Sequence, residues 1–182
     1  GTPWASKGMA EGHAVMGERV RASLLRATDG GRLPVVVDAS SCAHGVADLA
    51  ETAGIEVLDA VTYIAREALG ELEVSEKLPS VTLHPTCSSA HMGTVGDLRA
   101  VAEAAADQVQ IPVNWACCGY AGDRGMLHPE LTESATRAEA KTVAELDSRY
   151  HASSNRTCEL GMTQATGEPY AHVLELLERA TR

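Results

Sequence analysis

The sequence predicts an α/β protein of two pseudo-symmetric lobes, each with a largely parallel sheet flanked by helices. Three observations predict it. Short runs rich in Val and Ile alternate with longer stretches of helical periodicity, two short motifs recur at nearly the same spacing, and the cysteines follow the apolar runs instead of lying inside them. Strands alternating with helices give βαβ units and a Rossmann-like, parallel arrangement. In open parallel sheets ligands bind outside the carboxyl ends of the strands, so cysteines placed there converge on one crevice.

Each element has its own reason. Leu33 to Val37 is a strand because three consecutive valines are strongly β-biased and too few for a buried helix. Ile55 to Leu58, Val81 to Leu83 and Val109 to Val113 are further strands, and Tyr150 to Ser153 is a weak one. His13 to Ala27 places Val15, Met16, Val20, Leu24 and Leu25 at helical spacing, and Ala60 to Leu69 does the same with Val61, Ile64, Ala65 and Leu69. Val95 to Val109 is Ala-rich and helical. Pro129 suits the first turn of a helix over Glu130 to Arg149, and Tyr170 to Arg179 is an amphipathic C-terminal helix.

The repeat sets the lobes. Lys7-Gly8-Met9 is followed 35 positions on by Cys42-Ala43-His44-Gly45, and Arg124-Gly125-Met126 is followed 34 positions on by Cys158-Glu159-Leu160-Gly161. Gly1 matches Gly119. The predicted lobes are 1–76 and 77–182, and Trp4 and Trp115 fall at equivalent places, where core packing is the simplest role.

Composition excludes several classes of function. The 182 residues can bury about 70% of the unfolded surface without disulfide support. No apolar run is long enough to span a membrane. Fifteen Lys and Arg against 25 Asp and Glu give a net charge of −10, a poor footprint for nucleic acid or anionic lipid. With two Trp, four Tyr and no Phe, base-stacking platforms are also unexpected. No secretory signal opens the chain, so a cytoplasmic protein is expected, reaching the membrane surface only through partners. The opening residues read as the middle of a longer polypeptide.

Five cysteines are an odd number for a disulfide framework, and in a reducing compartment clustered cysteines point to metal or redox chemistry. Cys117-Cys118-Gly119 is the most distinctive word: adjacent thiols leave one turn in different directions, and glycine permits backbone geometry closed to other residues. Joined to Cys87 and Cys158, the pair supplies four thiolates, a set suited to a 4Fe–4S cluster or to zinc.

His84-Pro85-Thr86-Cys87, Cys117-Cys118-Gly119 and Asn155-Arg156-Thr157-Cys158 resemble the CCG, or cysteine-rich, domain family, which occurs in heterodisulfide reductase and in the iron–sulfur component of glycolate oxidase. The stretches Gly1 to Gly8, Val35 to Cys42 and Cys117 to Gly125 are more similar still to the C-terminal portion of bacterial FAD-linked oxidases of the D-lactate dehydrogenase (cytochrome) type. The resemblance spans essentially the whole chain. It implies metal ligation by Cys87, Cys117, Cys118 and Cys158, with Asn155 standing where the family often has a further cysteine. Cys42 ends a first repeat whose own Cys-Cys pair would lie upstream of Gly1. It further implies FAD in another domain of the same polypeptide and electron transfer from that flavin to an acceptor.

The alternatives are a structural zinc or metal-free interaction module, and a thiol–disulfide reductase using the vicinal Cys117-Cys118 pair. Cys42, His84, His91 and Asn155 are additional candidates at the site. His84 and His91 could donate to cluster sulfur or ligate a metal, or could simply cap backbone groups. Lys7, Asp123 and Arg124 could raise a cluster's potential or form a salt pair between lobes. The acidic residues of the Glu130 to Arg149 helix read as a solvated face.

Overall fold

The computed structural model describes residues 2–182, so the expected match of Gly1 to Gly119 lies outside the described residues. The chain divides between Tyr63 and Ile64 into two compact units. Parallel sheets flanked by helices are present in both, as the sequence predicts.

The first unit runs through α1 (Thr2–Ser6), α2 (Ala10–Ala27), β1 (Val35–Val37), α3 (Ser40–Glu51), β2 (Val57–Asp59) and α4 (Ala60–Tyr63). The two strands pair in parallel, Val35 against Val57 and Val37 against Asp59. Helices α2 and α3 approach closely at Gly17, where a β-carbon would lie 2.9 Å from Leu49 Cδ2. Asp59 is buried and starts α4 by accepting from the amides of Val61 and Thr62. Trp4 does not fill a core: it lies over Gly12, where a β-carbon would meet its ring, and remains 41% exposed.

The second unit opens with a wide π-turn over Ile64–Ala68 and a tight turn over Leu69–Glu71, so the helix expected to run from Ala60 to Leu69 loses regular α geometry after Tyr63. Next come β3 (Leu78–Leu83), α5 (Cys87–His91), α6 (Val95–Ala105), β4 (Ala106–Gln110), α7 (Arg124–Leu127), α8 (Pro129–Glu145), β5 (Tyr150–Ser153), α9 (Arg156–Thr166), β6 (Tyr170–His172) and α10 (Val173–Thr181). The strand order is β4-β3-β5-β6, all parallel. The chain therefore leaves β3 toward one edge and returns to its other side at β5. The connections after these two central strands diverge, which opens a crevice at their carboxyl ends.

Two further elements differ from expectation. The Ala-rich helix stops at Ala105, and Ala106–Gln110 is a strand in register with β3, Leu78 against Ala106 and Thr82 against Gln110. Pairing along a central strand overrides the local helical preference, and Val113, expected at a strand end, stands 97% exposed in the following loop. Tyr170–His172 joins β5 as an edge strand, and α10 begins only at Val173, where the His172 ring accepts from the Leu174 amide.

The core of this unit is Val81 and Leu83 on β3, Leu98 and Val101 on α6, Ala152 on β5, Met162 on α9, and Val173 and Leu176 on α10, all essentially inaccessible. Polar residues of β3 are satisfied across the sheet: Thr82 Oγ1 donates to Ser148 Oγ at 2.8 Å, and Ser80 Oγ accepts from the Arg149 amide at 2.9 Å. The element order α2-β1-α3-β2-α4 recurs as α8-β5-α9-β6-α10, and Cys42 and Cys158 are each the third residue of the helix that follows the first strand.

Glycine positions test the local geometry. Gly167 ends α9 in the left-handed region (φ 77°) with nothing within 4 Å of a built β-carbon. Gly167→Ala is expected to lower unfolding free energy by about 1 kcal/mol in a denaturant titration and to leave metal content unchanged. No helix among the described residues is long and apolar enough to cross a membrane.

Candidate metal centre

The crevice at the carboxyl ends of β3 and β5 gathers the chemistry. Beyond β3 the chain stays in register for one more residue: the His84 amide donates to Ala152 O at 2.8 Å, and Ser153 Oγ donates to His84 O at 2.9 Å. His84 is thereby fixed at the sheet edge and fully buried. Thr86 then caps a short helix, its Oγ1 accepting from the Ser89 amide while Ser89 Oγ donates to Thr86 O, which places Cys87 at the first helical position. Cys87 is exposed.

The Cys117-Cys118 turn follows β4. Gly119 has φ 71°, and a β-carbon there would lie 2.9 Å from Ala135 Cβ and 3.0 Å from Leu131 O, so glycine is required both by conformation and by the approach of α8. Gly125 is required by space alone: a β-carbon would sit 2.7 Å from the Tyr120 ring. Asn114 Nδ2 donates to Ala138 O at 2.8 Å, which ties the loop to α8. Cys118 points inward and is buried with Tyr120, Cys158, Met162 and Tyr170, whereas Cys117 is exposed. Cys158 sits in the first turn of α9, and its amide donates to Asn155 O at 2.9 Å.

The Sγ atoms of Cys118 and Cys158 are 3.4 Å apart. With one His84 ring nitrogen they form a buried group whose ligand atoms lie within 4.8 Å of one another, and this group could hold a metal ion. One tetrahedral ion with metal–sulfur bonds of about 2.3 Å holds its sulfurs about 3.8 Å apart, so the observed pair needs little movement to share a metal. Cys87 and Cys117 are within hydrogen-bonding reach of each other, and the Cys158 thiol feels the charges of Cys118, Cys87 and Cys117. All four thiols of the second unit thus belong to one electrostatic group.

Cys42 is exposed on α3 of the first unit. His91 is exposed at the end of α5. Asn155 is buried at the residue before α9, where its backbone carbonyl starts the helix and its side chain donates to Thr157 Oγ1. Arg124 is exposed at the start of α7.

One residue read as part of a solvated face is buried instead. Glu139 on α8 is 2% exposed, and its Oε1 accepts from His84 Nδ1 at 2.7 Å. Its Oε2 also accepts, at a longer 3.4 Å, from the amide of Ala116, immediately before the two cysteines. Glu130 and Glu133 on the same helix are exposed, as expected. Glu139 falls at the buried positions shared with Thr132, Thr136 and Val143, a helical stripe that could have singled it out.

The electrostatics follow from these contacts. The hydrogen bond from Cys158 lowers Cys118 most; burial opposes it, and His84 and the Tyr120 amide lower it further, to about 5. Burial works against a charged His84, but Cys118 and Glu139 outweigh it and raise the imidazole to about 9. The Cys158 thiol is pushed far up by its hydrogen bond to Cys118 and by burial, so the shared proton resides on Cys158, which donates to the Cys118 thiolate. Burial and then Cys117 raise Cys87. In the metal-free, reduced protein, raising the pH through about 5 is expected to produce one step of ultraviolet thiolate absorbance that is missing from Cys118→Ser. A first step appearing only in the ordinary thiol range would contradict this assignment.

Cys118 and Cys158 supply soft anionic donors, while His84 Nε2 is a buried nitrogen with no hydrogen-bond partner among the described residues. This donor set fits a thiolate-bound metal or iron–sulfur group. The chain matches no model of a known protein family, and no curated protein matches it.

Proposed function

We propose that the thiols of Cys87, Cys117, Cys118 and Cys158 hold a 4Fe–4S cluster, and that the chain is the electron-transfer part of an FAD-dependent 2-hydroxy acid dehydrogenase of the D-lactate or glycolate type. The observation that carries this reading is the convergence of four thiols from three separate connections on one crevice, with Cys118 and Cys158 in sulfur–sulfur contact. The likeness of the cysteine words to the CCG family supports iron over zinc. When bound, the cluster would accept electrons singly from a flavin in another domain and release them to an acceptor.

The residues of the chain then have distinct tasks. Buried Cys118 and Cys158 anchor the group, and exposed Cys87 and Cys117 face the side from which a partner approaches. Met162 and Tyr170 keep water from the inner pair. The chain by itself is silent toward D-lactate and glycolate until a flavoprotein is added.

Anaerobic reconstitution with iron and sulfide tests the reading. On the order of four iron atoms per chain, with visible absorbance bleached by dithionite and a paramagnetic reduced state, is the expected outcome. Stoichiometric zinc with no iron incorporation overturns it. A mononuclear zinc site is the second reading, favoured by the compact His84, Cys118 and Cys158 group and by a carboxylate behind the histidine.

A further inference from the structure

We propose that Glu139 is a positioning residue of the metal centre, holding His84 with Nε2 turned to Cys118 and Cys158 as a ligand while bracing the backbone turn that carries Cys117 and Cys118. The inference rests on the second, mononuclear reading of the centre, in which His84 joins Cys118 and Cys158 as a ligand; a cluster held by all four cysteines has no iron left for His84.

Three observations carry it. Nδ1 of His84 is occupied by Glu139 at 2.7 Å, so only Nε2 remains to face the thiols, and it has no hydrogen-bond partner among the described residues. An imidazole whose far nitrogen is held by a carboxylate is the usual arrangement behind a metal-bound histidine, because the carboxylate fixes both tautomer and ring direction. The second oxygen of Glu139 reaches the Ala116 amide, one residue before the cysteine pair. One side chain on α8 thus spans the segment after β3 and the loop after β4, two ligand-bearing connections 55 and 23 positions from it in sequence. A carboxyl group this deeply buried is retained at considerable desolvation cost, and an apolar residue would pack the same volume without it.

The chemistry distinguishes Glu from its closest isostere. Both oxygens of Glu139 accept, so Nδ1 of His84 keeps its proton, and it is the Nε2 proton that a metal displaces to gain the lone pair. The amide of Glu139→Gln can accept on only one side. If its oxygen takes the Ala116 amide, its NH₂ donates to Nδ1 and drives the imidazole proton onto Nε2, which blocks ligation. If it is flipped, its NH₂ meets the Ala116 N–H head-on.

The experiment uses the full 182-residue chain, reduced and without oxygen, titrated with Co(II) alone. Four proteins are compared: the unaltered chain, Glu139→Gln, His84→Gln, and the double variant, which keeps volume and removes both members of the His84–Glu139 pair. Electron–nuclear double resonance on the Co(II) form is expected to show a directly coupled imidazole nitrogen, lost in both His84→Gln proteins. Glu139→Gln is expected to bind Co(II) about 10- to 100-fold more weakly. In the His84→Gln background the same change is expected to have no further effect, since the glutamine oxygen keeps the Ala116 amide and only the hold on His84 is lost.

Absence of a coupled nitrogen in the unaltered chain overturns the proposal. So does unchanged affinity in Glu139→Gln, or an equal loss with and without His84. Should Glu139→Gln fail to fold, Glu139→Asp, a carboxylate too short to hold both Nδ1 and the Ala116 amide, is titrated in its place, and unchanged affinity there overturns the proposal. Failure of the iron–sulfur reading looks different: Co(II) binds through His84, and iron with sulfide does not assemble.

Discussion

Cys118→Ser is expected to abolish metal uptake by the reconstituted chain, leaving less than about a tenth of the unaltered content, while Cys42→Ser leaves it unchanged. The difference follows from placement. Cys118 is 3% exposed, in contact with Cys158, His84 and the Tyr120 amide, so its sulfur is the hub of the group. Serine in its place offers a harder, protonated oxygen and leaves Cys158 without the thiolate to which it donates. Cys42 is exposed on α3 of the first unit, where serine can replace it without disturbing the thiols of the second. Metal analysis after desalting, beside circular dichroism of the metal-free proteins, separates lost ligation from lost folding. Equal loss from both variants would assign Cys42 to the centre and contradict this account.

Gly119→Ala is expected to destabilise the second unit by about 3 kcal/mol. A left-handed alanine costs roughly 1–2 kcal/mol, and overpacking against a fixed neighbour typically adds about 1–3 kcal/mol. The neighbours here cannot yield easily, since the added carbon meets Leu131 O and Ala135 Cβ on α8, a 17-residue helix. The contrast with Gly167→Ala separates the two contributions. Both glycines have φ above 70°, but only Gly119 is crowded, so the difference in denaturant midpoint between the two variants reads the clash alone. Gly119→Ala should also weaken metal binding, because relief of the clash moves the turn that presents Cys118. A loss no larger than that of Gly167→Ala would show that α8 yields.

Where sequence and structure agree, a local signal and a tertiary demand coincide. Val35–Val37 is strand by composition and by pairing with β2, and Cys42 and Cys158 follow their strands as expected, each in the first turn of the next helix. Val109 and Gln110 fall in the strand the sequence predicts, but Ala106 to Gln108 are illegible because Asp107 and Gln108 carry no strand preference; the register with Leu78 to Thr82 imposes the extended form from outside. Tyr170–His172 was obscured in the same way, its partner β5 lying across an intervening helix. At the site, the cysteine words were visible by spacing, but nothing in them reports that Cys118 and Cys158 face inward while Cys87 and Cys117 face out. Glu139 is one of four glutamates on a charged helix and looks solvated unless its place on the stripe with Thr132, Thr136 and Val143 is traced, or His84, 55 positions away, is set against it.

The pairing of β3 with β5 carries a consequence for when the centre can be loaded. Ser80 bonds the Arg149 amide and Ser153 bonds His84 O, each across 69 positions. Closing a loop of that length costs about 4 kcal/mol of chain entropy, repaid only once both strands and the helices between them are in place. Cys87 and Cys117 leave the ribosome long before Cys158, yet the inner pair cannot exist until the final third of the chain has been made. Loading of the proposed centre would therefore follow the pairing of β3 with β5 and could not precede the synthesis of Cys158.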